Sequence, residues 1–186
     1  MTMSGAERSP TGLVVVGHGP AELVRGLLEQ AAPELAAALA LPWAGFLDAA
    51  EPHAALAELP AGLVALPQDP GRSLAAGGHW AEALGAWRQP AVVLLSVDQV
   101  ESGWAAASVA LLTQQGVPLL GLVQWGGPWD APLRRREQLP WLGWLTPEQA
   151  GFDGDAAGLR LALRQALGLR WHALVADQVA ARAPVA

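Results

Sequence analysis

Short apolar runs alternate along this chain with longer stretches in which apolar residues recur at helical spacing. The runs predict strands at Leu13–Val16, Trp43–Leu47, Leu63–Leu66, Val92–Ser96, Leu119–Gln124 and Trp141–Leu145. Several have no polar interruption, the pattern of strands buried on both faces. Helices are predicted between them at Ala21–Leu39, Pro52–Leu59, Leu74–Trp87, Val100–Gln114, Pro132–Gln138 and Ala156–Ala181. In the first, Leu23, Leu27, Ala31 and Leu35 are expected to share one face, with Glu22, Arg25 and Glu29 mostly off it, and Pro33 to break or kink it. Strands alternating with helices imply a three-layer α/β domain: a mostly parallel sheet with helices on both faces. Residues 1–11 read as a flexible N-terminus and 12–186 as a single domain, without internal repeat or long linker.

Composition narrows the chemistry. Of 186 residues, 52% are hydrophobic and 15% charged, enough apolar material to pack most of the chain. The net charge is −6 and there is no lysine, which argues against a nucleic-acid partner. Lacking lysine, the chain has no Walker lysine and no Schiff base; lacking cysteine, it has no disulfide, thiolate zinc or cysteine nucleophile. The opening twelve residues carry no basic and apolar blocks of a secretory signal, and no apolar run reaches the roughly 18 residues of a membrane span. A cytoplasmic protein without membrane contact is expected.

The loop after the first predicted strand carries the main question. It reads Gly17-His18-Gly19-Pro20-Ala21-Glu22 and leads directly into a helix, the place where an α/β protein binds a phosphate or presents a metal-binding histidine. Other polar residues follow the remaining strands: Asp48, Glu51 and His53; Gln68 and Asp69; Ser96 and Asp98; Gln124. One rim therefore has the material for a binding site. A conventional P-loop is excluded, because Pro20 removes a backbone donor, Glu22 adds negative charge, and no Lys or Ser/Thr follows.

The second half, from "QPAVVLLSVDQVESGW" through "GVPLLGLVQWGGPWD" to "LPWLGWLTPEQ", resembles the closing half of dethiobiotin synthetase and its cobyrinic-acid-synthase-like relatives. The resemblance implies a P-loop- or Rossmann-like sheet. It also implies a nucleotide-base site at the ends of the last two strands, where Gln124 stands in the position of the family's usual Asn, followed by Trp125, and where Thr146, Pro147 and Glu148 follow the last strand. Gly17, His18 and Gly19 are the corresponding phosphate-loop positions. The family's lysines and its acidic, glycine-rich magnesium segment are missing, so the resemblance implies a degenerate member without phosphoryl chemistry, a binding or regulatory module rather than an enzyme, with no cofactor. "LVVVGHG", "GFLDAAEPHAAL", "LVALP" and "LAAGGHW" in the first half also resemble class II chelatases of the sirohydrochlorin type. That alternative implies insertion of a divalent metal into a tetrapyrrole, with His18 and His79 as its metal-binding pair. Pro20 stands where that family has serine, and "QDPGRS" intervenes before His79.

Nine tryptophans and no tyrosine are present, and Trp125, Trp129, Trp141 and Trp144 gather in the second half. They are expected to pack or to form a partner surface, which makes a structural protein-interaction domain a third reading. Arg134, Arg135 and Arg136 form a local basic spot. The partner expected is an unidentified small molecule or protein, a second copy of this chain included.

Overall fold

A computed structural model describes residues 12–147 and 156–182. The predicted N-terminal segment and Glu148 lie outside the described residues. Six parallel strands form one sheet: β1 (Gly12–Val16), β2 (Trp43–Phe46), β3 (Gly62–Leu66), β4 (Ala91–Ser96), β5 (Leu119–Trp125) and β6 (Trp141–Leu145), in the order β2-β3-β1-β4-β5-β6. The helices are α1 (Ala21–Leu39), α2 (Pro52–Ala57), α3 (Trp80–Ala86), α4 (Val97–Glu101), α5 (Trp104–Gln114), α6 (Ala131–Arg136) and α7 (Ala156–Arg182). The architecture is the three-layer α/β arrangement expected.

Alternate strand residues feed two cores. Leu13 and Val15 face a layer made by α1 and α7, whereas Val14 and Val16 face Leu56 of α2, Trp80 and Leu84 of α3 and Leu112 of α5. A single β1 strand, apolar at every position, thus serves both layers, the physical reason its run shows no alternation. The alternation slips once in β5, where Leu120 and Val123 serve the first core and Leu122 the second. Gly121 absorbs the slip at φ 155°, and a Cβ there would stand 2.5 Å from the Pro140 carbonyl.

Four expectations are corrected. Pro33 does not end α1, which runs unbroken to Leu39; the alanine-rich turns around it and the burial of Ala31, Ala32, Leu35 and Ala36 hold the helix across the missing bond. The buried stripe is Val24, Leu28, Ala31 and Leu35, while Leu23 is 65% exposed. A strict four-residue spacing drifts by about 40° per step on a helix of 3.6 residues per turn, so the stripe from Leu23 could not stay on one face. The helix predicted over 100–114 is two helices, because Gly103, at φ 81°, turns the chain between α4 and α5. The one predicted over 74–87 begins only at Trp80, after a loop that carries Asp69 back to the first strand.

Candidate functional site

The carboxyl ends of the strands gather the polar residues. After β1 the chain leaves along α1 on one face; after β3 and β4 it leaves along α3 and α4 on the other. Loops that diverge in this way open a crevice at the rim, the usual place for a ligand in such sheets.

His18 sits in that crevice, 3% exposed. Its Nδ1 lies 3.5 Å from Asp69 Oδ1, across the loop after β3. The Gly19 N–H donates to Asp69 Oδ2 at 2.7 Å, and the Gly71 N–H donates to Oδ1 at 2.8 Å. Asp69 is thus the internal anion of the opening loop. Burial alone would raise its carboxyl pKa, but His18 and the two backbone donors outweigh that and hold it below the ordinary aspartate value. From the other side, Gln99 Nε2 donates to the His18 carbonyl at 2.5 Å, and the Gln99 side-chain oxygen accepts the Ser96 N–H. The Trp104 ring stands 6.4 Å from the His18 ring, tilted by 35°. His18 Nε2 is buried without a hydrogen-bond partner among the described residues, a condition that costs about 1–3 kcal/mol when unrelieved.

α1 begins with Pro20 in the cap position, without a side-chain cap bond. Beside this end lies an open cleft of about 240 Å³, lined by Ala21, Glu22, Arg25, Asp48, Pro67, Gln68 and Arg72. Arg25 is already engaged there: it pairs with Asp48 at 2.7 Å and lies over the Phe46 ring. The carboxylates of Glu22 and Asp48 balance the guanidiniums of Arg25 and Arg72 in the lining, so its formal charge cancels.

His79 is placed differently from His18. It caps α3, its Nδ1 accepting the Glu82 N–H at 3.2 Å while the Glu82 carboxylate accepts the His79 N–H and lies 3.5 Å from Nε2. The imidazole at His18 therefore meets Asp69, and that at His79 meets Glu82. Among the described residues no group of three or more His, Cys, Asp or Glu is arranged to hold a metal ion.

The other site residues stand two strands away. Gln124 and Trp125 pair in register with Trp144 and Leu145, which brings Thr146 and the exposed Pro147 beside them at the strand ends. Gln124 is fully buried, and its amide donates to the carbonyls of Gly126 and Pro128. Its Oε1 has no partner among the described residues. Trp125 is buried in the core formed with α7. Trp129 stacks on Trp144 at 5.2 Å and meets Trp141 edge-on at 5.8 Å, while Arg134, also paired with Glu137, lies over the Trp141 ring.

Sequence reasoning placed His18 and Asp69 on one rim but missed their pairing, and it missed Gln99 and Trp104 entirely. The signal for Asp69 was its Asp-Pro-Gly context, which favours a side chain folded back on the backbone two residues on. No protein-family model and no curated protein matches the chain.

Proposed function

We propose that this chain is a degenerate, P-loop-like binding module of the dethiobiotin-synthetase kind, one that no longer handles phosphate. The observation that carries this reading is Asp69: its carboxylate accepts the Gly19 N–H, so the protein's own anion occupies a backbone donor of the opening loop. Its charge would repel a phosphate brought to the same donors. Glu22 at the start of α1 and the absence of lysine act in the same direction. The nearby cleft, about 240 Å³, is below the roughly 300–1,000 Å³ of ordinary ligand pockets and suits no triphosphate. The position of β1 between β3 and β4 supports the kinship, because a P-loop-like sheet sets its first strand beside its third. Calorimetry with magnesium and ATP is the test: no heat of binding is expected, and magnesium-dependent micromolar affinity would overturn the reading.

A second reading, a chelatase-like metal enzyme, rests on the carboxylate at His18 Nδ1, the arrangement that orients metal-ligating histidines. Its second ligand, His79, would have to give up Glu82. Cobalt(II) binding lost in both His18→Ala and His79→Ala, and kept in the variant His172→Ala at an exposed position of α7, is the outcome this reading requires.

A further inference from the structure

His18 has one ring nitrogen committed and the other not. Nδ1 faces Asp69, whose two backbone bonds fix the carboxylate in place. The Gln99 bond to the His18 carbonyl fixes the backbone behind the ring. Held from both sides, the ring cannot readily turn Nε2 toward solvent, and Nε2 stays buried and unpartnered among the described residues. In the neutral ring, a carboxylate beside Nδ1 draws the proton to that nitrogen and leaves a lone pair at Nε2. The partner that such a neutral ring lacks at Nε2 is a donor.

A second ring stands beside this imidazole. Trp104 is 38% exposed although its ring lies 6.4 Å from that of His18. It directly follows Gly103, whose left-handed backbone separates α4 from α5. Its indole is partly exposed at the start of α5, and its face offers a flat apolar wall.

We propose that His18 Nε2 is the hydrogen-bond acceptor of a small-molecule site in the crevice between β1 and β4, closed over by Trp104. The ligand class is a neutral molecule with an O–H or N–H donor on a flat apolar body. The donor answers the lone pair, the flat body answers the indole, and an anion is disfavoured by the adjacent Asp69 charge. This deepens the binding-module reading and rests on it only for the absence of phosphate.

Phenol and anisole are the probes, because they differ by a methyl group on the one donor. With the full chain labelled with ¹⁵N at histidine, long-range ¹H–¹⁵N spectra should place the His18 proton on Nδ1. Phenol should then shift the Nε2 resonance saturably, with anisole about tenfold weaker for the lost hydrogen bond. His18→Ala should abolish phenol binding. Trp104→Ala, a partly exposed change that leaves the His18–Asp69 contact in place, should weaken it about tenfold by removing the wall. Equal responses to phenol and anisole, or no response to either, would overturn the proposal, the latter pointing to a buried water at Nε2. A shift produced by cobalt(II) but not phenol would overturn it in favour of a metal ligand. None of these outcomes depends on the ATP experiment, so failure here and failure of the phosphate-free reading are separately visible.

Discussion

The two sides of the sheet's carboxyl rim are ordered by different forces. Beside β1 and β3, one carboxylate gathers two backbone N–H groups and an imidazole, so the loops are set by short, directional contacts to Asp69. Beside β5 and β6, Trp129 lies flat on Trp144 and edge-on to Trp141, whose indole N–H donates to Glu137 at 2.7 Å. There Gln124 donates to two loop carbonyls and the Gly126 N–H donates to the Leu145 carbonyl, with no charged group among these bonds. A loop ordered by one charge is intolerant of that charge's loss, because its donors have no other partner. A loop ordered by aromatic area loses stability in proportion to the area removed. The first arrangement aims a ring at a point; the second presents a surface.

The largest effect should come from Asp69→Ala, which strands the Gly19 and Gly71 N–H groups and leaves His18 unsupported. A loss of about 3 kcal/mol in urea unfolding is expected, with Asp69→Asn losing clearly less because its amide oxygen still accepts one bond. Equal losses in the two variants would mean that side-chain volume, not the acceptor, orders the loop.

Trp129→Ala is next, at about 2 kcal/mol, roughly half the usual cost of a buried aromatic because Trp129 is half-buried. Trp129→Phe should recover much of it, since stacking tolerates a change of ring. If Trp129→Phe were as damaging as alanine, the aromatic side of the rim would be as specific as the carboxylate side, and the contrast would fail.

Gln124→Met should cost about 1 kcal/mol. It frees two loop carbonyls but also removes the unpartnered Oε1, so the two terms partly cancel. Tryptophan fluorescence should report a loosened loop around Trp129 in a protein that stays folded; an unchanged spectrum would show that the aromatic stack alone fixes it.

The smallest effect is a pH dependence confined to acid. Because the Asp69 carboxyl is held below the ordinary aspartate value of about 3.9, its stabilisation is complete at neutral pH. It persists down to that ordinary value and is lost as pH falls through the lower folded-state value. Denaturation from about pH 6 to about pH 3 should therefore show a shallower acid loss for Asp69→Asn than for the unaltered chain. The decrement of Trp129→Ala should stay nearly constant over the same range. Parallel curves for Asp69→Asn and the unaltered chain would remove Asp69 as the charge that orders its side.

Most of the fold was legible because strands and helices announce themselves locally. The β6 run and the α1 boundaries coincide with their observed limits, and the buried, unalternating strands read directly as a parallel sheet between helix layers. What local pattern misled was phase and interruption. The choice of Leu23 over Val24 for the buried stripe turned on one residue of helical phase, and the break between α4 and α5 turned on the single left-handed residue Gly103.

The candidate site divides the same way. The residue types and their confinement to strand ends were fixed by the chain itself: His18 in a glycine loop, no lysine to neutralise phosphate, and Asp69 in a turn-forming context. The meeting of His18 with Asp69, 51 positions apart in the numbering, and of His18 with Gln99 and Trp104, was decided only by the placement of β1 between β3 and β4. Periodicity reports which face of an element is buried, but not which strand lies beside it. That order is set by the crossovers and the packing of both helix layers, which bring distant loops to one crevice.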